Sequence, residues 1–186
     1  TSKKVDGKET LDKSKPTTQP NNELGDGKSY DVVVLGSGPG GYTAAFRAAD
    51  LGKSVMLIER YTTIGGVCLN VGCIPSKALL HTAKVITDAE DTTTHGVVFN
   101  TPEIDLEKLR DWKSNKVVKK LTMGLAQMAK QREVDIQEGE GKFISPNVIS
   151  ITNKDGSTKT ITFQSAIIAA GSQPTKIPNT PEDDRI

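Results

Sequence analysis

Charge of one sign is what this 186-residue sequence most clearly lacks: 24 Lys and Arg stand against 23 Asp and Glu, a formal net charge of +1. Without an excess of Lys and Arg there is no electrostatic reason to expect nucleic acid or an anionic membrane as a partner. Long apolar runs are missing as well. Stretches such as Val32 to Leu35, Val55 to Ile58 and Ala166 to Ala170 fall far below the ~18 residues a membrane-spanning helix requires. Aromatic residues make up 4% of the chain and His81 and His95 are its only imidazoles, which leaves few ligands for a zinc site. Two cysteines are too few for a disulfide scaffold and suggest chemistry or metal instead. No charged-then-apolar leader and no initiator Met opens the chain, so it reads as a soluble segment of something longer.

Residues 1 to 29 have only Val5, Leu11 and Leu24 as sizeable apolar residues, among six Lys and five acids. So few apolar side chains do not offset the entropy of ordering this stretch, which is expected to be a flexible linker or tail. The globular part is expected to begin at Tyr30.

From Tyr30 the pattern is strand, glycine turn, helix, strand. Asp31 to Leu35 is an apolar run of strand length, Tyr42 to Leu51 is Ala-rich and suits a helix that Gly52 ends, and Val55 to Ile58 is a second strand. A right-handed crossover makes two such strands parallel, with helices covering their apolar faces. Beyond them, Pro75 to Glu90 predicts a helix with Leu79, Ala83 and Ile86 on one face. Leu106, Leu109, Val117, Leu121, Leu125 and Met128 predict a second, interrupted near Ser114-Asn115. Val134 to Gln137 reads as a short strand. Val148 to Thr152 and Thr158 to Phe163 flank Lys154-Asp155-Gly156 as a hairpin would, and Ala166 to Ala170 reads as a further apolar strand. There is no internal repeat.

Gly36, Gly38 and Gly41 fit G-x-G-x-x-G directly after a strand and at the start of a helix. In that setting the first glycine permits the turn, the second lets backbone approach a pyrophosphate, and the third lets helix and strand pack closely. The helix N-terminus adds unpaired N–H groups and a partial positive charge. Glu59, at the end of the second strand, is placed to accept hydrogen bonds from an adenosine ribose. The glycines alone are also compatible with a plain connecting turn, and they do not distinguish NAD from FAD.

Both cysteines lie in Gly65-Gly66-Val67-Cys68-Leu69-Asn70-Val71-Gly72-Cys73-Ile74-Pro75-Ser76-Lys77. The spacing is wrong for a C-x-x-C zinc knuckle, and a disulfide closing so small a loop restrains the unfolded chain little. A redox pair is the remaining reading. The glycines leave the backbone open to a flat ring, and the helix that follows favours a thiolate at its N-terminus. A redox-active pair beside a bound dinucleotide points to a flavin, which accepts electrons from a thiolate. Lys77, one turn beyond Cys73, could place a cation by the reduced flavin; the plain alternative is an exposed helix lysine.

This cysteine segment, continued by Ala78-Leu79-Leu80 and preceded by the glycine turn, resembles the flavoprotein disulfide reductases. Within them it looks most like the dihydrolipoamide dehydrogenases, with glutathione and mercuric reductases as alternatives. The resemblance implies an α/β, Rossmann-like FAD-binding domain with a parallel sheet plus an antiparallel β-meander or hairpin. It implies FAD with its pyrophosphate at Gly36 to Gly41, its ribose on Glu59, and its ring near Gly66, Cys68, Cys73 and Lys77. Gly141 and the Ala170-Gly171-Ser172 turn would make further cofactor contacts.

By the same resemblance Cys68 and Cys73 form a redox-active disulfide, Cys68 exchanging with dihydrolipoamide and Cys73 facing the flavin, with hydride leaving to NAD. Complete enzymes of this kind are homodimers that take dihydrolipoamide from lipoyl domains of 2-oxo-acid dehydrogenase complexes. They work in the bacterial cytoplasm or the mitochondrial matrix. They also carry a nicotinamide domain and an interface domain with a His-x-x-x-x-Glu base, a setting in which neither His81 nor His95 stands. Residues 30–186 are therefore expected to be the first part of an FAD-binding domain, without turnover alone, and a non-catalytic FAD-binding module is the other reading. The tail before Tyr30 is compatible with the end of a tether from a lipoyl domain.

Overall fold

The computed structural model describes residues 28–173, 175, 177–181 and 183. Most of the tail expected over residues 1 to 29, and the end of the chain at Ile186, lie outside the described residues.

The strand–turn–helix–strand unit forms as expected: β1 (Ser29–Leu35), α1 (Pro39–Asp50) and β2 (Val55–Glu59), with Val33 opposite Met56 and Leu35 opposite Ile58 in a parallel pair. The chain then leaves the sheet through α2 (Gly66–Asn70), α3 (Cys73–Asp91), α4 (Leu106–Asp111) and α5 (Lys119–Gln131), and returns as β3 (Asp135–Glu138) parallel to β2. Three antiparallel strands follow, β4 (Glu140–Ser145), β5 (Val148–Thr152) and β6 (Thr158–Ile168). Together they make one six-stranded sheet, ordered β3-β2-β1-β6-β5-β4.

The hairpin strand expected at Thr158 to Phe163 and the separate strand expected at Ala166 to Ala170 are a single strand. β6 pairs antiparallel with β5 through Thr162 and parallel with β1 as far as Ile168, so it joins the two halves of the sheet. Just before β5 begins, Asn147 extends its ladder. Its carbonyl accepts from the Phe163 N–H at 3.0 Å, and its side-chain amide donates to the Phe163 and Gln164 carbonyls at 3.0 and 3.3 Å. The polar Gln164-Ser165 pair, which reads as a break, thus sits at a change of partner within a continuing strand.

Alternating side chains of the parallel strands feed two cores. Val33, Met56 and Ile58 pack with Ile149, Ile151, Ile161 and Phe163, because the antiparallel half curls over that face. Val34, Val55 and Leu57 pack on the opposite face against Ala45 and Phe46 of α1 and Ala129 of α5. All five residues of β2 are buried, as a parallel strand covered on both faces requires.

α3 begins two residues ahead of the expected Pro75, which makes Cys73 its first residue. Its inward stripe also differs from expectation. Pro75 is buried and Ala78, Thr82, Ile86 and Ala89 are half-buried, whereas Leu79, Ala83 and Val85 are exposed. The helix contacts α2, residues 112–118 and the short turn that follows it, and these neighbours leave part of its apolar flank exposed. The interruption expected near Ser114-Asn115 is present: a π-helical segment, Trp112–Val118, lies between α4 and α5. Asp105 caps α4, accepting from the Glu107 and Lys108 N–H groups at 3.1 and 3.0 Å. Among the described residues no helix is long and apolar enough to cross a membrane, and no group of three or more His, Cys, Asp and Glu side chains is placed to hold a metal ion.

Candidate functional site

The three motif glycines do different work. Gly36 has φ +98°, donates its N–H to the Ile58 carbonyl at 2.8 Å, and would carry a Cβ only 2.3 Å from the Ala169 oxygen. A Cβ on Gly41 would lie 1.8 Å from the Gly36 oxygen, so the turn and α1 close on each other there. Around Gly38 no atom lies within 4 Å of the Cβ position. The first and third glycines are therefore demanded by packing, and the second leaves space. No side chain caps α1 and its first turn holds no acid, so its leading N–H groups open toward that space. Such an opening fits a phosphate group.

Glu59 is 6% exposed at the end of β2 and is held by hydrogen bonds from the turn. One carboxylate oxygen accepts both the Ser37 N–H, at 2.9 Å, and the Ser37 hydroxyl, at 2.5 Å. The other accepts the Tyr61 N–H at 3.1 Å. Ser37 also links the turn to the cysteine segment, since its carbonyl and hydroxyl oxygens accept from the Gly65 N–H at 3.0 and 3.2 Å. A Cβ on Gly66 would lie 2.6 Å from Gly38 Cα, so the two glycine-bearing loops lie backbone to backbone.

The cysteine segment is a short helix followed by a new helix start. Cys68 lies in α2 and Cys73 opens α3; both are free, half-buried thiols. Asn70 clamps the segment, donating to the Ile64 and Gly66 carbonyls at 3.2 and 3.0 Å, while its own oxygen faces the Thr122 hydroxyl of α5 at 3.5 Å. The Cys73 side chain, as hydrogen-bond partner, does most to raise the Cys68 pKa above its ordinary value; desolvation adds to this and the Lys77 charge opposes it. The two sulfurs and Lys77 thus form one electrostatic group.

These parts meet in a cleft of about 400 Å³ at the carboxyl ends of β1, β2 and β6. That is where open α/β sheets bind ligands. Gly36, Gly38, Glu59, Gly66, Cys68, Gly141, Ala170, Gly171 and Ser172 are among the residues that line it. Gly41 stands behind the turn. Cys73 and exposed Lys77 are not in the cleft wall, and of the two cysteines it is Cys68 that reaches it. Among the cleft residues that a reading of the sequence does not single out are Ser37, Arg60, Tyr61 and Gly139. Ser37 is the buried polar position inside the glycine motif, a signal available in advance. Gly139, with φ +147° and an N–H on the Glu59 carbonyl at 2.9 Å, turns β3 back over the cleft. Arg60 and Tyr61 carry no distinguishing spacing.

The sequence profile of the pyridine nucleotide-disulphide oxidoreductase family matches residues 30–185. Among curated proteins the chain is 58% identical to a dihydrolipoyl dehydrogenase of Vibrio cholerae over 153 residues, 82% of this chain and 32% of that protein. It is 53% identical to one from Haemophilus influenzae over 153 residues, again 82% and 32% of the two chains. It is 43% identical to one from Bacillus subtilis over 156 residues, 84% of this chain and 33% of that protein. The chain spans about a third of the length of these relatives. The mixed sheet, the cleft at its carboxyl edge and the match over most of the sequence agree: the chain belongs to the pyridine nucleotide-disulphide oxidoreductase family.

Proposed function

We propose that this chain is the first part of the FAD-binding domain of a dihydrolipoyl dehydrogenase. The observation that carries the reading is the single cleft that joins the uncapped α1 N-terminus, buried Glu59 and the thiol of Cys68. Gly38 and the first turn of α1 would hold the pyrophosphate, Glu59 the ribose, and Gly141 with Ala170 to Ser172 would add further cofactor contacts. FAD supplies a two-electron acceptor between a dithiol and NAD.

The chain's own residues account for the sulfur chemistry. With Cys68 and Cys73 joined as a disulfide, a thiolate of dihydrolipoamide attacks the Cys68 sulfur and releases Cys73 as a thiolate on the first turn of α3. The second substrate thiolate then attacks the sulfur joined to Cys68, closing the lipoamide disulfide and releasing Cys68. Two electrons and two protons leave the substrate dithiol, and the two cysteines receive the electrons. Lys77, one turn along α3, balances the negative charge. Overall, dihydrolipoamide and NAD give lipoamide, NADH and a proton.

Turnover, NAD binding and the His-Glu base belong to the remainder of a full-length protein, a homodimer working on lipoyl domains in the bacterial cytoplasm. The test is the full-length protein purified from an expression host. A flavin spectrum and NAD reduction with dihydrolipoamide are expected. A preference for NADPH with oxidised glutathione or Hg(II) overturns the substrate assignment, and a colourless protein without either activity overturns the cofactor assignment.

A further inference from the structure

The two cysteines are held by unequal supports. Cys73 opens the 19-residue α3, whereas Cys68 sits in the 5-residue α2. Isolated helices shorter than ~12 residues are marginal in water, so α2 does not hold itself together and Cys68 is placed by what surrounds it. The turn that leads into α2 has little stiffness of its own. Gly65 and Gly66 have φ +113° and +62°, left-handed conformations in which glycine is at ease because it has no Cβ and many other conformations open to it.

Asn70 supplies what the glycines lack. It is the last residue of α2 and the one polar side chain in the sequence between Cys68 and Cys73. Its Nδ2 donates to the Ile64 carbonyl at 3.2 Å and to the Gly66 carbonyl at 3.0 Å, and its Oδ1 faces the Thr63 and Thr122 hydroxyls at 3.4 and 3.5 Å. Both donors and both acceptor positions of the amide are thereby used. The Ile64 carbonyl and the Gly65 N–H are the two ends of one peptide group. Asn70 holds the carbonyl end, and Ser37 accepts from the N–H end at 3.0 and 3.2 Å. A planar peptide group gripped at both ends cannot rotate, so the glycine turn is fixed from one side by the cofactor cleft and from the other by the cysteine segment itself.

We propose that Asn70 is a positioning residue for the cysteine pair: by gripping the Ile64–Gly65 peptide group opposite Ser37 it fixes α2, holds Cys68 where a disulfide to Cys73 can close, and so sets the balance between dithiol and disulfide. The sulfurs are already neighbours, with Cys73 the hydrogen-bond partner of the Cys68 thiol. A disulfide tolerates only a narrow range of Cβ separation and dihedral angle, so a small rotation of α2 weakens it. The hydrogen bonds of Asn70 run to the turn and to α5 and not to either sulfur, so its influence passes through the placement of Cys68. The inference rests on the proposed function only in taking Cys68 and Cys73 as a redox pair.

The test uses the full-length protein as wild type, Asn70→Ala and Asn70→Asp, equilibrated without oxygen or nicotinamide in mixtures of reduced and oxidised dithiothreitol. Closing the disulfide passes two electrons and two protons from the Cys68 and Cys73 thiols to oxidised dithiothreitol, which becomes the dithiol. Acid quenching, alkylation and peptide mass spectrometry read the fraction of Cys68–Cys73 disulfide, and melting temperatures are taken for both redox forms. Each variant is expected to lower the equilibrium constant for closure by about tenfold or more, a rise of about 30 mV in the potential of the pair. The oxidised form should lose more melting temperature than the reduced form. A residue that merely supports the fold weakens both forms alike, which cancels from the equilibrium between them; an unchanged constant with equal losses overturns the inference. Asn70→Asp keeps the shape of the side chain without its two donors, so a wild-type constant in that variant overturns the inference equally, and the two variants are read independently should one fail to fold. Absence of a Cys68–Cys73 disulfide in wild type overturns both this inference and the cysteine assignment of the proposed function, whereas a wild-type disulfide with unmoved variants overturns this inference alone. Flavin content and dihydrolipoamide oxidation, measured on the same samples, report separately on the proposed function.

Discussion

Ser37 gives both its backbone N–H and its hydroxyl hydrogen to the same carboxylate oxygen of Glu59, at 2.9 and 2.5 Å, with both residues buried. The bonds tie the middle of the glycine turn to the end of the next strand. Ser37→Ala removes the hydroxyl bond to a buried charged group, a loss of about 1.5–3 kcal/mol. Urea denaturation should show that loss, and flavin titration of the full-length protein should show weaker binding. A variant matching wild type in both measurements would show that the pairing is incidental.

The glycines of the motif should separate into two kinds when substituted. Gly41→Ala drives a Cβ to 1.8 Å from the Gly36 carbonyl oxygen and should prevent stable folding or cost more than about 4 kcal/mol. Gly38→Val points into open space from an extended backbone, so the protein should remain folded by circular dichroism while losing flavin. Recovery of flavin-loaded Gly38→Val protein would remove the phosphate from this position.

The environment of Cys68 predicts a directional change in reactivity. Because Cys73 is the main cause of the raised Cys68 pKa, Cys73→Ala should move the pH profile for alkylation of Cys68 by iodoacetamide toward lower pH. Lys77→Met removes a charge that favours the thiolate and should move the profile toward higher pH. Opposite or absent shifts would break the link between the two sulfurs and the lysine.

A cluster at the start of β1 predicts how stability changes with pH. Lys28 and the Tyr30 hydroxyl reach the same oxygen of Asp135, at 2.6 and 2.5 Å, and the Lys28 bond, then the Tyr30 bond, hold the Asp135 pKa below its ordinary value. A carboxylate whose pKa is depressed by folding adds stability above its unfolded pKa, about 3.9, and loses it as pH falls through the folded value. The Lys28 pKa is raised, chiefly by its bond to Asp135, so its contribution is full below the ordinary lysine value and fades only as pH rises through the raised one. The difference in melting temperature between wild type and Asp135→Asn should therefore be flat from pH 5 to 9 and shrink below about pH 4. It should also be small, because the pair is half in water. A difference that persists unchanged to pH 2 would mean that Asp135 acts by shape and not by charge.

Local chemistry made the first βαβ unit legible. Gly41 is dictated by the Gly36 carbonyl in the same turn, although Gly36 itself is held by the distant Ala169, and the apolar runs of β1 and β2 are those of strands covered on both faces. The cysteine segment was equally readable because its spacing and flanking glycines are unusual. β4 was not, since Glu140–Ser145 has no strong alternation and is a strand only because β5 pairs with it. The register of α3 was lost for a related reason. Its apolar residues surround more of the helix than its neighbours cover, so periodicity could not choose between the stripe through Leu79 and that through Ala78 and Thr82.

The sequence by itself determined the turn, the acid after it and the cysteine pair, because each depends on residue types at short spacing. Only the tertiary structure decided that β6 is one strand joining two halves of a sheet, that Ser37 binds Glu59 across 22 positions, and that Cys68 reaches the cleft. Those relationships depend on how distant segments pack, and side chains brought together by packing leave no periodic trace along the chain.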